Sequence, residues 1–222
     1  MVNRLLVVLV LLLLLICGIG CDLAGLVVNP GPYDRKVPAE FDIKDNADRK
    51  IVVVADQAAG LGGTVVPVRK KLAEGVETLL IERAGVKKKY IVSQKDMEFL
   101  GSYGSDFHKS SPVNVASQLG AGLVLYVKIV NYNLYPSGPK DYYVGSLISR
   151  SVLIDSQSGE VVWPVDGEPK LLRMAIDLET RGREQTQAKL IAATAHGIVR
   201  YLYDIRVRYF KTSAEQVQYD SF

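Results

Sequence analysis

Two long apolar runs in the middle of the chain limit the folds open to it. Residues 123–134 (LVLYVKIVNYNL) and 142–154 (YYVGSLISRSVLI) are rich in Val, Ile, Leu and Tyr, and Pro136-Ser137-Gly138-Pro139 lies between them. Runs of that composition read as strands, and a Pro/Gly turn joins them as a hairpin. A second tight polar turn, Asp155-Ser156-Gln157-Ser158-Gly159, leads into Glu160-Val161-Val162-Trp163, so this part of the chain is an antiparallel meander.

Upstream the period changes. Ile51-Val52-Val53-Val54-Ala55 is a short continuous apolar run, the pattern of a strand covered on both faces. A glycine loop, Gly60-Leu61-Gly62-Gly63, follows. Thr64 then stands as an N-cap, with Pro67 in the first turn of a helix. Val65, Val68, Leu72, Val76 and Leu79 recur at helical spacing, and Gly85 closes that helix. Tyr90-Ile91-Val92 reads as a second short strand, Ser93 as the cap of a short helix, and 112–119 as another. A short strand over 170–176 precedes a long C-terminal helix, in which Ile191, Ala195, Ile198, Leu202 and Ile205 share one face. The expected fold is α+β: a mixed sheet with an antiparallel meander, helices packed on it, and the long helix at the end.

The N-terminus is of a different kind. After Arg4, residues 5–16 are Leu, Val and Ile without interruption. That length suits the apolar core of an export signal better than a membrane span, which needs about 20 residues. The run ends in Gly18-Ile19-Gly20-Cys21, which resembles the lipobox of bacterial lipoproteins, with Gly20 as the small residue before the cut. The resemblance implies that Cys21 is the lipid attachment point and that Cys17 leaves with the signal. The expected organisation is then a signal peptide over 1–20, a lipidated N-terminus and flexible tether over 21–49, a single α+β domain over 50–210, and a polar tail over 211–222. Pro30, Gly31, Pro32 and Pro38 break regular structure in the tether.

Chemistry-bearing groups are thin. The chain carries 27 basic and 24 acidic residues, a balance that argues against a nucleic-acid surface. Gly60-Leu61-Gly62 starts like a dinucleotide fingerprint, but the third glycine would fall on Val65, and no P-loop ending follows. A nucleotide or anion binder at Gly60–Gly63 therefore remains an alternative only. Of the two histidines, His108 lies in a polar loop and His196 on the last helix, where i+4 is Arg200; no metal or cofactor is expected. Ser137-Gly138-Pro139-Lys140 sits in a turn that cannot bring the Lys onto the Ser, and Glu179 and Asp204 show no patterned pairing with other carboxylates. Arg69-Lys70-Lys71 and Lys87-Lys88-Lys89 read as solvated charges. Tyr126, Tyr132, Tyr135, Tyr142 and Tyr143 gather around the long hairpin and are the candidate partner surface, against the alternative of a half-buried sheet face.

Three stretches carry a wider resemblance: 51–56 followed by a helix and by Tyr90-Ile91-Val92-Ser93, then 112–126 (PVNVASQLGAGLVLY), then 154–163 (IDSQSGEVVW). Together they resemble the bacterial envelope lipoproteins that include the curli-secretion channel lipoprotein, the lipoprotein activators of penicillin-binding proteins and the N-terminal domain of the Tol–Pal translocation protein. Gly122 stands where an acid often falls in that group. The resemblance implies a protein that is not an enzyme, anchored in the bacterial envelope, facing the periplasm, with the outer membrane preferred to the inner. It implies work through contacts with another envelope protein, as scaffold or activator, or as a homo-oligomeric export-channel subunit.

Overall fold

The computed structural model describes residues 33–46, 48–62, 65–99, 111–137 and 141–209. Two compact units divide them. The smaller is a two-stranded sheet, β1 (Tyr33–Val37) paired with the last strand, β8 (Ile205–Tyr209). The larger, Pro38–Ile205, carries everything else.

In the larger unit β2 (Ile51–Gln57) lies parallel to two neighbours, β3 (Ile91–Val92) on one side and β4 (Leu123–Pro136) on the other. From β4 the sheet turns antiparallel through β5 (Tyr142–Asp155). The far edge of β5 is shared: its end pairs with β6 (Val161–Trp163) and its beginning with β7 (Lys170–Arg181). This mixed sheet with an antiparallel half is the α+β architecture expected from the strand and helix periods. Asp155 makes the second turn because its carboxylate accepts from the backbone N–H of Gln157 and Ser158, at 2.8 and 3.2 Å.

Both faces of β2 are covered, as its unbroken apolar run requires. On one face lie α1 (Val66–Glu82) and the final helix, α4 (Arg183–Val199). Val68, Leu72, Val76 and Leu80 of α1 are fully buried, one turn apart, against Ile51, Val53, Leu125 and Val127. The two helices approach closely at Gly75, where a Cβ would lie 3.4 Å from that of Ala195. On the other face, α2 (Gln94–Phe99) and α3 (Pro112–Gln118) cover only the β3 side, through Met97, Val115 and Ala116 on Val52, Val54 and Val124. Ser93 caps α2 reciprocally with Asp96: each backbone N–H donates to the other's side chain, at 3.2 and 3.3 Å.

Several sequence expectations need correction. Residues 33–46 are not a free tether: β1 lies there, Ile43 is fully buried, and Phe41 packs on the core. The α1 N-cap is Val65, without a side-chain cap, while Thr64 lies outside the described residues. The last helix stops at Val199 and gives way to a 3-10 turn at Arg200–Leu202; Ile205 opens a strand and does not extend the helical face. Arg69 is 2% exposed, so it does not belong with solvated Lys71. It falls beside Val68 on the inward stripe and is drawn in by an acid, Asp56. The signal segment, Cys17, Cys21, His108 and the 211–222 tail lie outside the described residues.

Candidate functional site

The carboxyl end of β2 gathers a set of interacting polar groups. Chain direction dictates why: β2 leads into α1 on one face, whereas β3 leads into α2 on the other, so the connections part at this end of the sheet. Such switch points leave crevices in open α/β sheets. The Tyr126 hydroxyl donates to the Asp56 carboxylate at 2.9 Å, and the Arg69 guanidinium approaches its other oxygen at 3.7 Å. Burial, then the bond to Asp56 and its negative charge, push the Tyr126 phenol well above its ordinary value, so it holds its proton throughout the neutral range.

The glycine loop is pinned to this end. Gln57 donates through its side-chain amide to the Leu61 carbonyl at 2.6 Å, and Ala58 N–H donates to Ile129 O at 2.8 Å. Gly60 turns the chain with φ of +91°, a left-handed conformation that favours glycine. A cavity of about 370 Å³ opens here between Asp56, Gln57, Ala58, Ala59, Gly60 and Lys128. Chemically the corner is an ion-paired, hydrogen-bonded clamp that fixes the start of α1.

The expected site residues distribute themselves differently. Tyr126 lies in the polar corner. Tyr132 packs against the helical core and accepts a hydrogen bond from Gln187 at 2.8 Å. Tyr135, at the hairpin end, is 57% exposed and pairs with Val144; half-buried Tyr142, two residues before Val144, falls on the same face, and half-buried Tyr143, paired with Pro136, on the other. The structure therefore places three of the five tyrosines at the hairpin end, Tyr135 and Tyr142 on one face and Tyr143 on the other, and separates Tyr126 and Tyr132 from them. His196 is half-buried on α4, and burial, then Arg200 and Arg83, lower its pKa. No group of three or more metal-ligating side chains occurs among the described residues.

Sequence reasoning missed the Asp56–Tyr126–Arg69 set. Asp56 and Tyr126 sit on neighbouring parallel strands, and their contact depends on the register that aligns Asp56 with Lys128. Gly122 likewise has a tertiary reason. A Cβ there would come within 3.0 Å of Arg49, whose guanidinium donates to Gly122 O at 2.6 Å and to Asp155 at 2.8 Å.

No family model matches the chain, and neither does any curated protein. Among solved structures it is similar to a lipoprotein from Neisseria meningitidis, at 16% identity over 68% of this chain and 98% of that one, with a TM-score of 0.37. It is similar to the PelC dodecamer of Paraburkholderia phytofirmans, at 16% identity over 78% and 98%, with a TM-score of 0.39. The C-terminal domain of LpoB from Salmonella enterica matches at 17% identity over 64% and 86%, with a TM-score of 0.33. The neighbours thus include bacterial lipoproteins of low identity, and no single member is marked out.

Proposed function

We propose that this is a lipid-anchored protein of the bacterial envelope that works through contacts with another envelope protein, as a scaffold or activator. The observation that carries this reading is the N-terminal sequence: an apolar run over residues 5–16 that ends in Gly18-Ile19-Gly20-Cys21. A peptidase cut before Cys21 leaves a diacylated cysteine as the first residue, and two-chain anchoring of that kind is stable in a bilayer.

The contact surface in this reading is the hairpin end, where Tyr135 is exposed with Tyr142 on the same face and Tyr143 on the other. Tyrosine offers large amphipathic area at low entropic cost and is enriched where interfaces are strongest. The polar corner at Asp56 has a structural role in this reading. Asp56 is engaged by Tyr126 and Arg69, and the Tyr126 proton is held too tightly for general acid–base work near neutrality.

Radioactive fatty acid fed to cells expressing the chain tests the anchor. The wild type incorporates label and Cys21→Ser does not; persistent label in Cys21→Ser overturns the assignment. Photo-crosslinking from position 135 in intact cells tests the contact surface. A discrete adduct with one envelope protein, absent when the photoprobe is moved to Lys71 on α1, supports it.

A further inference from the structure

We infer that the half of the sheet's α2–α3 face that no described helix covers docks on an anionic phospholipid surface. This rests on the membrane-anchored reading above.

The helices α2 and α3 cover one half of that face, over β2 and the start of β4, and leave the other half bare among the described residues. On the bare half the strand register places Lys128 directly opposite Arg150, and Arg150 directly opposite Leu171. One step along, Arg173 pairs with Ile148, which puts it diagonal to Arg150. All three cations are exposed, and so is Leu171, at 44%. None of the three forms an ion pair with a described residue. Asp56, in register with Lys128, is engaged by Tyr126 and Arg69.

Like charges directly opposite one another destabilise an antiparallel pair. An external anion field would relieve that repulsion. Several features favour a bilayer over an acidic protein. The cations are spread across three adjacent strands of a sheet face, and of the three Lys128 alone lines the cavity beside Asp56. Long basic side chains beside an exposed leucine suit a headgroup layer, where the charge meets phosphate and the apolar group meets the acyl boundary. The larger unit begins at Pro38, so in the anchored protein a short span of chain holds it beside its own membrane at high effective concentration.

Each cation near an anionic surface shifts the docked-to-free ratio roughly fivefold, so three together shift it by about a hundredfold at low salt. The test uses the full lipid-anchored chain reconstituted into vesicles of phosphatidylcholine alone, or of phosphatidylcholine with phosphatidylglycerol. Acylation of Lys128 and glyoxal modification of Arg150 and Arg173 are followed by mass spectrometry, with Lys71 on α1 as reference. Docking lowers the rates at all three positions by about tenfold or more on the phosphatidylglycerol vesicles. High salt and Arg150→Glu restore the rates at the remaining positions, while Lys71 stays unchanged. Equal rates on the two vesicle types overturn the proposal. So do rates that stay high on both vesicles yet fall in intact cells, which assign the face to an acidic protein. Retention on phosphatidylcholine vesicles, compared between wild type and Cys21→Ser, judges the anchor separately.

Discussion

The indole N–H of Trp163 donates to the carboxylate of Glu40 at 3.0 Å across the fold. Trp163 is fully buried at the end of β6, and the other oxygen of Glu40 accepts from Lys170 at 2.7 Å. The Lys170 ammonium lies 4.3 Å from the centre of the Tyr201 ring, which packs 5.8 Å from the Trp163 ring. A segment that reads as tether in the sequence thus closes the core.

Removing that acid orphans a buried donor. Glu40→Ala should destabilise the protein by about 1–3 kcal/mol in urea denaturation. Because Trp163 is the only tryptophan, its fluorescence reports the same site, and its emission should shift in the folded variant. Glu40→Gln keeps an acceptor and should lose less. Equal losses for Ala and Gln would show that the hydrogen bond is not what matters.

Glu77 makes stability fall as pH rises through the weakly acidic range. Its carboxylate accepts from the Gln94 amide, which also donates to Val53 O at 3.0 Å. Burial raises its pKa to about 7 from 4.5, against the opposing pull of the Gln94 bond. A raised acid is penalised when ionised, so its full contribution is present below pH 4.5 and is lost as pH climbs to about 7. Glu77→Gln should be more stable than the wild type at pH 8 by about 1–2 kcal/mol, after allowance for its partial exposure, and no more stable at pH 4. A gain that does not change with pH would contradict this.

Ser149 is fully buried on the helix-covered face, and its hydroxyl has no hydrogen-bond partner. An orphaned buried hydroxyl is expensive, whereas the methyl of Ala fills most of its volume. Ser149→Ala should be neutral or stabilising by up to about 1 kcal/mol in urea titration. A loss above that size would mean the hydroxyl has a partner.

Two helical glycines should respond in opposite ways to alanine. At Gly75 the new methyl meets Ala195 at an ordinary 3.4 Å, so helix propensity should give a gain of up to about 1 kcal/mol. At Gly197 it would come within 2.6 Å of the Met174 methyl and 2.7 Å of a Leu172 methyl. That overpacking should reverse the gain by about 1–3 kcal/mol. Thermal denaturation of the pair should rank Gly75→Ala above Gly197→Ala.

The amino-acid sequence by itself determined the elements whose signals are local. The period of α1, the Ser93–Asp96 cap, the Asp155 turn and the two strands of the long hairpin all follow from residues a few positions apart. Tertiary structure alone decided what those elements bring together. Arg69 is buried because Asp56 waits beneath it. Residues 33–46 are ordered because Trp163 needs an acceptor and the last strand needs a partner. Lys128 faces Arg150 because of a strand register. Register and partner choice are set by contacts far apart in the chain, and one residue of slip sends every side chain to the other face. The N-terminal signal lies at the opposite extreme: the case for anchoring at Cys21 rests on seven contiguous residues, ICGIGCD, and on the apolar run before them.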